Sequence, residues 1–98
     1  MYKIKTALIS VSDKKNLKPI LTTLSKNKIK ILSSGGTFKE IKKLKFKCIE
    51  VSDFTNSPEI LEGRVKTLHP KIHAGILNKR NNKSHLKDLK DNDFENID

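Results

Sequence analysis

Three short apolar runs, separated by stretches of helical periodicity, constrain this chain more than any other feature. Residues 3–9 (Lys-Ile-Lys-Thr-Ala-Leu-Ile) turn apolar toward their end, and residues 29–33 (Ile-Lys-Ile-Leu-Ser) and 46–51 (Phe-Lys-Cys-Ile-Glu-Val) read as a second and a third such run. Runs of about four to eight such residues suit strands of a buried sheet. Between them Leu17, Ile20, Leu21 and Leu24, and then Phe38, Ile41 and Leu44, recur at helical spacing. The connections are a few residues long. The order strand, helix, strand, helix, strand therefore implies parallel strands joined by right-handed crossovers, an α/β arrangement.

The first helix is expected from Lys14 to about Lys26, with Pro19 in its first turn or just after drawing the start toward Lys15 or Asn16. Asn27 suits its C-terminal cap, and Ser10-Val11-Ser12-Asp13 ahead of it is a polar turn with good N-caps. Residues 52–63 read as a loop, with one helical turn at Pro58–Leu61. Ala74-Gly75-Ile76-Leu77 is expected to pack against the sheet. Residues 78–84 read as a charged turn, and His85, Leu86 and Leu89 as a short helix with a solvated histidine. A fourth strand should follow and none is visible. The chain is therefore expected to be the front portion of a longer protein, its sheet truncated after the third strand and following helices.

At 98 residues there is room for one small domain, with an aliphatic core. The net charge of +10 comes from 21 basic residues, nineteen of them Lys, against 11 acidic ones. Thirteen lysines fall in residues 1–47, where the acids are Asp13 and Glu40. Along the sequence they are spread evenly, without interleaved aromatics or arginine, so nucleic acid is not expected as a partner. The single Cys48 excludes an internal disulfide and a cysteine-based zinc site, and reads as a small buried residue in a strand. No apolar run approaches the roughly 18 residues of a membrane span, and the N-terminus lacks the apolar core of a signal peptide. No membrane partner and a cytosolic location are the expectations.

Three loops carry candidate chemistry. Ligands of open parallel sheets sit outside the carboxyl ends of the strands, so the loops after them should face one crevice. Ser34-Gly35-Gly36-Thr37 pairs two glycines with a helix start, an arrangement that binds phosphate but equally makes a tight strand-to-helix turn. Ser12 and Lys14 offer a hydroxyl and a cation; the plain alternative is an N-cap and a surface lysine. Gly63-Arg64-Val65-Lys66-Thr67-Leu68-His69-Pro70-Lys71-Ile72-His73 gathers one of the two arginines, two lysines, two histidines and a hydroxyl. Such a mixture suits an anion, or else a solvated basic loop. His69 and His73 share an i, i+4 spacing, but no Glu follows His69 and Pro70 does, so no metal site is expected. Asp53, Glu59 and Glu62 remain possible acids or bases beside a reading as loop surface.

Taken together, Ala7–Lys14, Leu32–Thr37, Val51–Asp53 and Pro58–His73 closely resemble the IMP cyclohydrolase family, the N-terminal, methylglyoxal-synthase-like domain of bifunctional purine-biosynthesis enzymes. The resemblance runs from about residue 5 to 77, and its specific part is Pro58–His73. The Ser-Gly-Gly-Thr turn alone is shared with the wider methylglyoxal-synthase-like group. The resemblance implies a three-layer flavodoxin-like fold, with residues 1–98 as the N-terminal part of the cyclohydrolase domain. It implies closure of 5-formamido-imidazole-4-carboxamide ribotide (FAICAR) to IMP with loss of water, without metal or organic cofactor. It places Ser12, Asp13, Lys14, Ser34, Gly35, Gly36, Thr37, Arg64, Lys66 and Thr67 around the nucleotide, with Lys66 as the catalytic candidate. Family members add a formyltransferase domain using 10-formyltetrahydrofolate, absent here, further site residues beyond Asp98, and homodimer pairing. A phosphate- or nucleotide-binding regulatory module of the same group is the alternative. The regulatory relatives and methylglyoxal synthase lack the Arg64–His73 stretch.

Overall fold

The computed structural model describes residues 3–57 and 69–98. Its elements are β1 (Thr6–Ile9), α1 (Leu17–Lys26), β2 (Lys30–Ser33), α2 (Gly35–Lys43), β3 (Ile49–Glu50), α3 (Val51–Thr55), α4 (Pro70–Leu77) and α5 (Lys83–Asp91). The strands form one parallel sheet in the order β1-β2-β3. Leu8 lies beside Leu32, and Leu32 beside Ile49.

Side chains alternate across a strand, and here the alternation builds two cores. Ile31 faces Leu17 and Leu21 of α1 and Ile41 of α2, with Ile9, Val11 and Leu44 at the margin. Leu32, one residue on, faces Val51 and Phe54 of α3, Ile72 of α4, and Ile97. The result is three layers, helices on both faces of the sheet. Leu21, Leu32 and Ile41 have no exposed surface, and each such burial contributes about 1.5–3 kcal/mol.

Several expectations change. The third strand is shorter than residues 46–51 because Lys45 and Phe46 complete the end of α2: their amides bond to Lys42 O and Ile41 O. Cys48 is half-buried and lies ahead of the strand; burial is the main force that pushes its thiol up to about 11. Val51, expected at the end of the third strand, and Ser52-Asp53, expected in a loop, instead open a helix, because Val51, Phe54 and Thr55 are buried at helical spacing. Residues 70–77 are a helix that turns Ile72 and Gly75 inward, leaving Ile76 and Leu77 exposed. His85 is not simply solvated. It is half-buried, and its Nδ1 accepts the Lys79 N–H at 2.9 Å. The expected helical turn at Pro58–Leu61 lies outside the described residues.

No fourth strand appears among the described residues, but the last ones already lie beside β1. Asp98 N–H donates to Thr6 O at 2.9 Å, Ile97 N–H donates to Gly75 O at 2.9 Å, and Ile97 is buried in the α3–α4 core. The Asp98 carboxylate accepts the N–H groups of Lys5 and Thr6, and its other oxygen meets Arg80 at 3.2 Å. These donors, led by the Lys5 N–H, hold its pKa below the ordinary aspartate value against an opposing burial effect. A carboxylate depressed on folding favours the folded form above its unfolded value, about 3.9. That contribution is lost as pH falls through the lower folded value. Acidification below about pH 4 should therefore release residues 95–98 from β1 first. Amide exchange at Thr6 and Ile97 would show it, and Asp98→Asn should abolish this step.

Candidate functional site

The site lies at the carboxyl ends of β1 and β2, and the Val11 backbone is its hub. Thr37, buried in the first turn of α2, folds its hydroxyl back onto the β1 loop. Its Oγ1 accepts the Val11 N–H at 3.3 Å and donates to Val11 O at 3.1 Å. The Lys14 ammonium donates to the same Val11 O at 3.2 Å and to Ser12 O at 3.4 Å. One level below, Ser33 Oγ donates to Ile9 O at 2.7 Å, tying the ends of the two strands together.

The Gly35–Gly36 turn explains itself locally. Gly35 has φ 57°, a left-handed conformation that costs glycine little and starts α2 abruptly from the extended Ser34. At Gly36 the Lys14 side chain lies across the backbone: a Cβ there would stand 3.1 Å from Lys14 Cε and 3.6 Å from Nζ. The ammonium is thereby held over the first turn of α2, where free N–H groups and the helix dipole already favour an anion. Ser34 is buried and makes no side-chain cap bond to the helix. Ser12 is exposed. The Asp13 carboxylate is taken up by its own turn, accepting the Lys15 N–H at 2.9 Å.

Lys14 is thus brought against Gly36, and Thr37 is bonded to the same loop at Val11; Ser12, Asp13, Ser34 and Gly35 flank these contacts in the chain. Arg64, Lys66 and Thr67 lie outside the described residues, as do Glu59 and Glu62. Asp53 is exposed in the first turn of α3. His69 does not share a ligand set with His73. It caps α4, its Nδ1 accepting the Lys71 N–H at 3.0 Å, while the His73 ring nitrogen meets His69 O at 3.2 Å. Among the described residues no group of three or more His, Cys, Asp or Glu is placed to hold a metal ion. None of the described helices is long and apolar enough to cross a membrane.

Two contacts were not expected from the sequence. The Val11 backbone had no side-chain signature to announce it. Lys71 belongs to the Gly63–His73 stretch singled out above, but its partner did not follow from that mixture. Its ammonium donates to Phe54 O at 2.8 Å and sits 4.3 Å above the Phe54 ring, joining the start of α4 to the end of α3. Such a cation over an aromatic face adds about 0.5–2 kcal/mol.

The family model for the MGS-like domain matches residues 16–97. The chain belongs to the MGS-like domain family. It is 60% identical over 93 residues to the bifunctional purine biosynthesis protein PurH of Prochlorococcus marinus subsp. pastoris, covering 94% of this chain and 18% of that protein. It is 50% identical over 95 residues to the PurH of Ruminiclostridium cellulolyticum, covering 97% of the chain and 18% of the relative. The PurH of Agrobacterium fabrum is 49% identical over 96 residues, covering 98% and 18%. The chain thus spans less than a fifth of the length of these relatives and corresponds to their MGS-like part. Among solved structures, the crystal structure of ForH superposes with a TM-score of 0.86 at 27% identity, covering 98% of this chain and 50% of that one. This agrees with the three-layer parallel architecture described above and with the flavodoxin-like fold that the resemblance implied.

Proposed function

We propose that this chain supplies part of an IMP cyclohydrolase site in the cytosolic synthesis of purine nucleotides. The observation that carries the proposal is the Lys14 ammonium, held by Val11 O and Ser12 O and laid over the N-terminal turn of α2. A ribotide 5′-phosphate would accept from that ammonium and from the free N–H groups of the Gly35–Thr37 turn. The relatives' name supports purine biosynthesis as the setting.

In the reaction the carboxamide nitrogen of FAICAR attacks the formyl carbon, and water leaves to give IMP. Binding contributes by holding nitrogen and carbon at attack distance. A cation on the formyl oxygen would stabilise the charge that develops there. Lys66 is the candidate for that role, with Arg64 and Thr67 holding base and ribose phosphate. No cofactor enters this step. Formyl transfer from 10-formyltetrahydrofolate, and pairing as a homodimer, would belong to a longer parent protein. Nucleic acid and membrane lipid have no part in this site.

A second reading rests on the character of the described site, which consists of hydroxyls, backbone N–H groups and one ammonium. Those are binding groups, and a regulatory nucleotide-binding module would need nothing more. Titration with IMP followed by amide-resolved NMR tests both. Shifts concentrated at Ser12–Lys14, Ser34–Thr37 and Arg64–Thr67 are expected. A well-dispersed spectrum that ignores IMP would overturn the nucleotide site. An assay of IMP formation by the parent enzyme separates the readings: Lys66→Ala should abolish turnover, and intact turnover would remove Lys66 from its role.

A further inference from the structure

The lysines that look evenly scattered in the sequence are gathered by the fold. Three of the chain's four Lys-apolar-Lys tripeptides, Lys3-Ile4-Lys5, Lys28-Ile29-Lys30 and Lys45-Phe46-Lys47, each stand at or just before a strand start. Because β1, β2 and β3 are parallel and adjacent, all three starts lie along one end of the sheet, with neighbouring strands about 4.8 Å apart. That end is opposite the carboxyl ends of the strands, where the proposed nucleotide site lies.

The middle residue of the second and third tripeptides is half-buried, Phe46 within the α1–α2 core, while Lys3, Lys5, Lys28, Lys45 and Lys47 are exposed. The apolar residue anchors the tripeptide and directs the cations to solvent. Two hollows of about 710 and 830 Å³ open along this rim and share Lys28 and Lys30. The acids that line them are Glu95 and Asp98, both in the second.

Lys28 and Lys45 have φ 58° and 68°, left-handed values. Each ends a helix with paired backbone bonds, Lys28 N to Ser25 O with Ile29 N to Leu24 O, and Lys45 N to Lys42 O with Phe46 N to Ile41 O. Glycine is the usual residue at that position, since a side chain there carries a steric cost. Here both positions hold a lysine.

The rim already takes carboxylates from an irregular segment. Glu95 meets Lys30 at 2.7 Å, and Asp98 meets Arg80 at 3.2 Å while accepting the N–H of Lys5 and Thr6. We propose that the strand-start rim is a docking surface for an acidic protein segment, an extended stretch rich in Asp and Glu that continues the pattern begun by Glu95 and Asp98. Lysines act as point charges and suit such a flexible polyanion. Nucleic acid fits less well. The described arginine of the rim is already engaged with Asp98 and Ile97 O, and Phe46 and Phe94 are half-buried rather than standing out as stacking platforms. This proposal does not depend on the nucleotide reading.

The test is titration of the full chain with a short polyglutamate peptide at low and high salt, with a single-stranded RNA oligomer of equal charge beside it. Amide shifts are expected at Lys3–Lys5, Lys28–Lys30 and Lys45–Lys47, with affinity falling as salt rises. The double variant Lys28→Gly, Lys45→Gly removes two charges where glycine is conformationally favoured. It should melt no lower than the parent chain and bind the peptide about tenfold more weakly. Three results would each overturn the proposal: no salt-sensitive peptide binding, unchanged binding by the double variant, or RNA binding about tenfold tighter than the peptide.

Discussion

Gly75→Ala is expected to cost about 1–3 kcal/mol and to free the segment that ends at Asp98. Gly75 is buried on the inner face of α4. A Cβ there would stand 2.8 Å from Glu95 O, 3.0 Å from Ile97 Cγ1 and 3.2 Å from Ile97 Cδ1. The nearest atom is a backbone oxygen, which cannot swing aside as a side-chain tip does. Either α4 shifts, disturbing Ile72 beneath it, or residues 95–97 lift away. Lifting breaks the Ile97 N–H bond to Gly75 O and withdraws Ile97 from the core of Leu32, Val51, Phe54 and Ile72. Helix propensity alone would favour alanine by about 1 kcal/mol, so a net loss of stability isolates the steric effect. Urea unfolding gives the loss, and proteolysis of the terminal segment in the native state shows where it falls. An alanine variant as stable as the parent chain would mean that the segment does not pack here.

The features legible in the sequence were those with a short-range signature. Leu17, Leu21 and Ile41 at helical spacing, and Ile31 and Leu32 at strand alternation, gave α1, α2, β2 and the two-faced core. Asn27 was expected as a cap, and its amide does donate to Thr23 O at 2.8 Å. Misreadings arose where one signal masked another. Ser52 and Asp53 are loop formers by composition, yet Val51, Phe54 and Thr55 at helical spacing carried the stronger signal of α3. Residues 74–77 are apolar but lie on a helix that buries Ile72 and Gly75 instead. Two properties have no local signature. The Val11 backbone became the meeting point of Thr37 and Lys14 only through packing, and the lysine tripeptides became a rim only through parallel topology. An even scatter along a chain does not mean an even scatter on a surface when each crossover returns the chain to the same end of a parallel sheet.

Thr37→Val is expected to weaken the proposed nucleotide binding at least about tenfold while the fold survives, at a stability cost of about 1–3 kcal/mol. Valine keeps the shape and the burial, 4% exposed in the parent residue, but removes the hydroxyl. The Val11 N–H loses its acceptor and Val11 O loses one of two donors. Val11 is half-buried, so water can take up part of that loss, which keeps the cost below that of a dry core. The larger effect is geometric. The Thr37 hydroxyl is the described link between the β1 loop and the first turn of α2, and it fixes where Lys14 stands relative to Gly36. Without it the ammonium loses its place over the helix N-terminus, and the anion loses two sources of attraction at once. Thr37→Ser retains the hydroxyl and should restore most of the affinity, with some loss from the missing methyl. Titration of both variants with IMP, beside their melting temperatures, separates the two effects. If valine binds as serine does, the hydroxyl is only a structural pin, and the nucleotide site must be sought elsewhere on the sheet.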